Sequence, residues 1–163
     1  VTPGASVGRF NTGSETWDSG AAYQWEIQDV DAGPGTGWDL VNITGTLTIT
    51  ATPANPFVID VVSLEAGGAA GLVGDFNPLG VYEWEIARTT AGVSGFASEK
   101  FLVDLGDFQN NWQGGRWFVT LGGEDNNKSL FLNYAMIPEP ASGVLAALGL
   151  LGLLLWQALG RRK

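Results

Sequence analysis

The chain contains no cysteine and no histidine. Without cysteine it forms no disulfide, offers no thiolate to a metal ion and has no thiol nucleophile. Without histidine it lacks the usual general base at neutral pH, the commonest metal ligand and any catalytic triad built on imidazole. We therefore predict a protein that is not an enzyme, with no catalytic residue, no metal site and no cofactor.

Charged residues are also few, at 15% of the chain, and the two signs are separated. All 17 acids lie at or before Glu139, where five of the eight bases leave a net charge of −12. The other three bases are the last residues, Arg161, Arg162 and Lys163. A domain this acidic repels phosphate, so we exclude nucleic acid as a partner. The charge suits solubility or a cationic partner.

A long hydrophobic run precedes these three cations. Residues 141–159 carry no charge and, at about 1.5 Å each, would span roughly 28 Å as a helix. This predicts a transmembrane helix over 141–160 rather than a buried core helix, which would not be apolar all round and then end in cations. By the positive-inside rule the tail, 161–163, is cytoplasmic and the preceding domain faces outward. Small residues in the span are candidates for helix packing: Ser142, Gly143, Ala146, Ala147 and Gly149.

Pro138, Glu139 and Pro140 stand directly before the hydrophobic run. Two prolines keep this stretch extended and stop a helix from running back into the outer domain. The order of Pro-Glu-Pro, an apolar span and an Arg-rich end resembles a PEP-CTERM sorting signal. The resemblance implies a bacterium of the Gram-negative type. It also implies that exosortase, a membrane protease, recognises the tripeptide and cleaves near it. The alternative is a plain Pro-rich linker to an anchor.

The chain before residue 137 alternates apolar and polar side chains in short segments separated by turn residues, which is typical of strands. The segment YQWEI at 23–27 recurs as YEWEI at 82–86, which is 59 residues later and predicts two related units, 20–79 and 80–134. We divide the chain into an N-terminal segment (1–19), an all-β outer domain (20–136), a Pro-Glu-Pro linker (137–140), a transmembrane helix (141–160) and a basic tail (161–163).

Residues 37–49, GWDLVNITGTLTI, resemble the rungs of autotransporter-associated β-strand repeat proteins. The resemblance implies a short right-handed parallel β-helix. The alternative is an antiparallel β-sandwich, because the turns are close enough for hairpins. Either fold makes the outer domain all-β.

Seven tryptophans are many for a chain of 163 residues. Trp25, Trp84 and Trp117 lie in predicted strands, and we assign them to the core. Trp17, Trp38 and Trp112 neighbour Gly, Asp, Asn or Gln, and we expect them to be exposed and available for stacking on a sugar. This makes carbohydrate binding one hypothesis for the outer domain.

Four pairs of acids could in principle present paired carboxylates or a calcium site: Asp29 with Asp31, Glu83 with Glu85, Asp104 with Asp107, and Glu124 with Asp125. None belongs to a recognisable catalytic or calcium-binding motif. We interpret them as solvated strand faces and turns.

We predict a non-catalytic structural or interaction protein of the cell envelope, anchored in the bacterial cytoplasmic membrane by one helix, with its outer domain periplasmic or extracellular. Its expected partners are the membrane and an exosortase-type protease. A first alternative is a permanently anchored accessory subunit that docks onto other membrane-complex subunits. A second is a carbohydrate-binding surface module.

Overall fold

A computed structural model describes residues 6–112, 114–123 and 128–136. This part of the chain is mostly β, and its helical structure is limited to one 3₁₀ turn at Ser98–Lys100. The predicted linker, helix and tail, together with their site residues, lie outside the described residues. So do Glu124 and Asp125. Within the described ranges, no helix is of the length and apolarity needed to cross a membrane.

Eleven strands are described. In chain order they are β1 (Arg9–Thr12), β2 (Glu15–Trp17), β3 (Ala22–Ile27), β4 (Leu40–Ile43), β5 (Thr46–Ile49), β6 (Phe57–Ser63), β7 (Val81–Thr89), β8 (Gly92–Ser94), β9 (Phe101–Asp104), β10 (Arg116–Gly122) and β11 (Ser129–Ala135).

The first nine strands form three parallel sheets, which the chain visits in the same order three times. β1, β4 and β7 pair in the first sheet, β2, β5 and β8 in the second, and β3, β6 and β9 in the third. We call each passage through the three sheets a coil. The expectation of an all-β domain with parallel sheets is confirmed. The antiparallel sandwich is wrong for these nine strands, because every pairing between them is parallel.

The core lies between the three sheets and follows the period-two pattern of the sequence. Tyr23, Trp25 and Ile27 on β3 are all fully buried, as the alternation predicts. Trp17 from the first coil stacks on Phe57 from the second, with ring centroids 4.5 Å apart and planes within 3°. Each large side chain buried in this way stabilises the fold by about 1.5–3 kcal/mol. Stacking between buried side chains of successive coils therefore holds the coils together.

The predicted 59-residue repeat does not follow the strand pairing. Residues 23–27 lie in β3 of the third sheet, whereas residues 82–86 lie in β7 of the first. Arg9 pairs with Leu40 at an offset of 31, and Val41 pairs with Ala87 at an offset of 46. The two segments are alike because each places alternate aromatic residues on an inner face, and not because they occupy equivalent places in a coil.

The last two strands end the parallel pattern. β10 and β11 form an antiparallel hairpin, and β11 pairs antiparallel with β7. The hairpin therefore covers the first sheet of the third coil in place of a fourth parallel strand. At the end of β11, Ala135 pairs with Arg116 on one side and with Val81 on the other. The chain leaves the described residues one position later, after Met136.

Candidate functional site

A groove of about 440 Å³ runs between β9 and β10 at the hairpin end of the domain. We call it the β9–β10 groove. Within the described part of the chain, β9 pairs only with β6 and β10 pairs only with β11, so each leaves an open strand edge beside the groove. Its lining is mixed, nearly evenly polar and apolar: Phe101, Leu102, Trp112 and Trp117 contribute apolar surface, and Glu99 and Arg116 contribute charge. A mixed lining of this kind is usual for ligand sites.

Trp112 is held at the groove by the loop that leads into β10. Its carbonyl oxygen accepts a hydrogen bond from the Gly115 backbone N–H at 2.9 Å and lies 2.7 Å from the Tyr134 hydroxyl. Gly115 is required for this close approach, since a Cβ there would lie 2.4 Å from the Tyr134 ring. The Trp112 side chain is half-buried, which leaves part of the indole accessible.

Trp117 lines the groove and belongs to an aromatic cluster. Its ring lies 5.5 Å from Trp84, 5.1 Å from Phe108 and 5.1 Å from Tyr134. The Trp117 Nε1–H is buried and has no hydrogen-bond partner. An unmade hydrogen bond in a buried position costs about 1–3 kcal/mol, so this donor is an unsatisfied polar group inside the aromatic cluster.

Arg116 supplies the positive charge at the rim. Its guanidinium carbon lies 5.2 Å from the centroid of the Phe118 ring, a cation–π distance. The side chain is exposed, and Glu99 lines the same groove. The rim therefore presents both a donor fork and a carboxylate beside aromatic surface.

Two of the three tryptophans expected to be exposed are core residues. Trp17 is buried against Phe57, and its Nε1–H donates to Glu15 Oε2 at 3.2 Å. Trp38 is buried, and its Nε1–H donates to the Glu85 carbonyl oxygen at 3.0 Å. The expectation of surface stacking is wrong for both, because their polar neighbours belong to the corners of the coils while the indoles point inward. Of these three tryptophans, Trp112 alone lines the β9–β10 groove.

The assignment of Trp25 and Trp84 to the core is confirmed, with ring centroids 5.8 Å apart. Trp117 is packed against the core but also lines the groove, a role that sequence reasoning missed. Its strand pattern indicated a buried residue and nothing more. Trp117 also lines the groove because β10 lies beside the open edge of β9.

A second pocket, of about 500 Å³, lies beside the β7–β11 pairing. Glu85 and Arg88 form an ion pair there, and the Ser129 Oγ–H donates to Glu85 Oε1 at 2.6 Å. Arg88 is half exposed, so the pair contributes little to stability. Glu83 is exposed, and Glu85 is engaged by Arg88 and Ser129. The Glu83–Glu85 pair, interpreted from the sequence as a solvated strand face, thus consists of one exposed carboxylate and one that is held by neighbouring side chains.

The other described acid pairs form turns. The Asp31 backbone N–H donates to Asp29 Oδ1 at 2.8 Å, and the Gly106 N–H donates to Asp104 Oδ1 at 3.0 Å. Both are the local side chain-to-backbone contacts that fix a turn. Among the described residues, no group of three or more acidic side chains is arranged to hold a metal ion.

Two buried carboxyl groups lie at the opposite end of the domain. Asp39 is fully buried and accepts hydrogen bonds from the backbone N–H groups of Gly8, at 2.7 Å, and Glu26, at 3.1 Å. Burial, with a smaller contribution from the nearby Glu26 carboxyl, raises the pKa of Asp39 to about 7 despite those two bonds. Burial also raises the pKa of Glu26, whose Oε2 has no hydrogen-bond partner. Asp39 thus fastens the start of β1 to the second coil.

No family model, curated protein or solved structure matches this chain.

Proposed function

We propose that the protein is a non-catalytic structural or interaction protein of the bacterial cell envelope, exported and anchored by a PEP-CTERM sorting signal. The observation that carries the proposal is the order of three C-terminal elements. These are Pro138-Glu139-Pro140, an uncharged run of nineteen residues at 141–159, and the cations at 161–163. The acidic composition and the absence of histidine and cysteine support a non-catalytic outer domain.

We also infer that the three coils wind as a right-handed parallel β-helix. Parallel strands that share a sheet are joined with a right-handed crossover in nearly all proteins. A short stack of this kind is a rigid spacer or display surface, which suits a protein whose purpose is contact. An experimentally determined structure tests the hand directly.

The test of the sorting proposal is the mass of the native C-terminus, measured on protein isolated from its own host. A terminus near Pro140 supports processing at the tripeptide. An intact Lys163 in every preparation contradicts processing and favours the permanently anchored subunit. Glu139→Gln, with an unchanged span and tail, is the matched variant: loss of processing with retained anchoring assigns recognition to the carboxylate.

Membrane topology is a separate test of the same proposal. Protease added to intact spheroplasts is expected to degrade the outer domain and spare the tail, because the basic residues stay in the cytoplasm. Full protection of the outer domain contradicts export.

Carbohydrate binding is a second candidate function, favoured by the β9–β10 groove. A sugar presents apolar C–H faces and hydroxyl groups together, and the groove offers the half-buried Trp112, the Arg116 guanidinium and the Glu99 carboxylate. Titration with an oligosaccharide panel, followed by tryptophan fluorescence, tests it. Trp112→Ala should lower affinity at least tenfold, while Leu72→Ala, in an exposed loop, should not. Equal affinity in both variants contradicts the assignment.

A further inference from the structure

We propose that one corner of the outer domain, where β7 begins and β11 ends, lies against the outer surface of the lipid bilayer. We call this corner the exit face and define it by Leu79, Val81, Arg116 and Ala135. The inference rests on the proposed C-terminal anchor. It goes further by assigning which part of the domain meets the membrane and which side chains enter the interface.

The exit face carries the two most exposed large hydrophobic side chains of the described domain. Val81 is 78% exposed and Leu79 is 63% exposed. Val81 pairs directly with Ala135, the last residue of β11. Val81 therefore stands beside the point where the chain leaves towards residues 137–163, and Leu79 lies two residues before it in the chain.

Leu79 and Val81 are presented by an ordered turn. The Leu79 N–H donates to Asn77 Oδ1 at 3.0 Å, and the Gly80 N–H donates to the Asn77 carbonyl oxygen at 2.9 Å. The Asn77 N–H in turn donates to the Tyr82 hydroxyl at 2.8 Å. The turn fixes the two apolar side chains outward, so their exposure is a built feature of the corner.

The end of β11 is held to the same corner. The Tyr134 hydroxyl lies 2.6 Å from the Pro78 carbonyl oxygen and 2.7 Å from the Trp112 carbonyl oxygen, so its proton serves these two acceptors. The Tyr134 ring is fully buried. The chain thus leaves the domain from a rigid position.

Chain length brings this corner to the membrane. Five residue-to-residue steps separate Met136 from Ala141, where the proposed span begins. In any conformation these steps cover at most about 18 Å. The headgroup region on each side of the hydrocarbon is itself roughly 5–8 Å thick. The exit face therefore lies within reach of the headgroups wherever the linker directs it.

Charge favours contact at this corner and limits it elsewhere. Arg116, the other neighbour of Ala135, is exposed and can bind lipid phosphate. Glu83 is exposed two residues further along β7, and the domain as a whole is strongly acidic. An anionic surface repels these acids, which confines the contact to the tip around Leu79, Val81 and Arg116. Two apolar side chains are also too small an area for a stable protein partner.

The absence of cysteine makes the test direct, because a single introduced cysteine takes one label. Full-length Val81→Cys and Leu79→Cys are labelled with an environment-sensitive dye and reconstituted into phosphatidylcholine–phosphatidylglycerol vesicles containing headgroup-region spin-labelled lipid. Thr46→Cys, exposed on the second coil, is the matched control. We expect at least threefold stronger lipid quenching at positions 79 and 81 than at position 46.

Each outcome decides a different part of the proposal. Chains that float with the vesicles but show equal, weak quenching at all three positions overturn the exit face and leave the anchor standing. A dye at position 81 that is shielded from aqueous iodide yet not quenched by lipid also overturns it, in favour of a second copy. Chains that fail to float with vesicles overturn the anchor and the exit face together.

Discussion

The two ends of the coil stack hold their terminal strands in different ways. At the first coil, β1, β2 and β3 each have a strand neighbour on one side within the described residues, and the buried Asp39 carboxyl fastens the start of β1. At the third coil, a hairpin covers β7 and an aromatic cluster packs beneath it. An electrostatic fastening responds to pH, whereas an aromatic one does not. The comparison therefore separates the conditions under which each end loosens.

We expect the aromatic cluster at the hairpin end to make the largest single contribution to the free energy of unfolding. Trp84 is buried and lies 5.8 Å from Trp25, 5.1 Å from Tyr82 and 5.5 Å from Trp117, so it joins the third coil to the hairpin. Trp84→Ala should lower the free energy of unfolding by about 3–5 kcal/mol, measured by urea denaturation. Leu72→Ala, in an exposed loop, is the control and should stay within about 0.5 kcal/mol. A loss below about 1 kcal/mol for Trp84→Ala would show that the aromatic cluster does not hold the third coil to the hairpin.

A substitution that adds volume at the hairpin end is a second test of how tightly this end is packed. Gly115→Ala places a Cβ 2.4 Å from the buried Tyr134 ring, which is itself held by two carbonyl oxygens and cannot easily move. We expect a loss of about 1–3 kcal/mol in urea denaturation, with a displaced Trp112 loop. Gly13→Ala is the matched control, since nothing lies within 4 Å of its added Cβ. Equal effects of the two substitutions would show that the loop yields freely.

The carboxylate end should respond to pH. The folded pKa of Asp39, raised to about 7 mainly by burial, lies above its ordinary value of 3.8. The folded state therefore holds its proton where the unfolded state has released it, and stability falls as pH rises between these two values. The loss should be up to about 3 kcal/mol between pH 4.5 and 7.5, measured by urea denaturation at each pH.

Asp39→Asn keeps the shape of the side chain and removes its titration. It should flatten that slope, whereas Asp31→Asn, at an exposed turn, should leave it unchanged. Glu26 and Asp60 also have pKa values raised mainly by burial, so a smaller slope of the same sign remains in Asp39→Asn. If Asp39→Asn keeps the full dependence of stability on pH, the titration of the buried Asp39 carboxyl is not its cause.

The same comparison shows what the sequence could predict. The period-two pattern placed Tyr23, Trp25 and Ile27 on an inner face, because one buried face leaves a direct trace in the order of residues. Trp38 was misplaced because its neighbours Gly37 and Asp39 mark a corner, and corner residues here are themselves buried. The Asp39 clamp needs Gly8, which is 31 residues away, and the groove needs β9 beside β10. Such contacts depend on tertiary pairing and leave no local pattern.

We expect the smallest change in the free energy of unfolding for substitutions on the exit face. Val81→Ser and Leu79→Ser should each change the free energy of unfolding by less than about 0.5 kcal/mol in urea, because both side chains are mostly exposed in the folded domain. A large loss would mean that the two side chains support the fold, and their exposure would then need no partner. Unchanged stability, with dye quenching by lipid at position 81, leaves contact with the bilayer as the reason for apolar residues there. The hairpin end would then serve both to close the coil stack and to seat the domain on the membrane, while the first coil faces away.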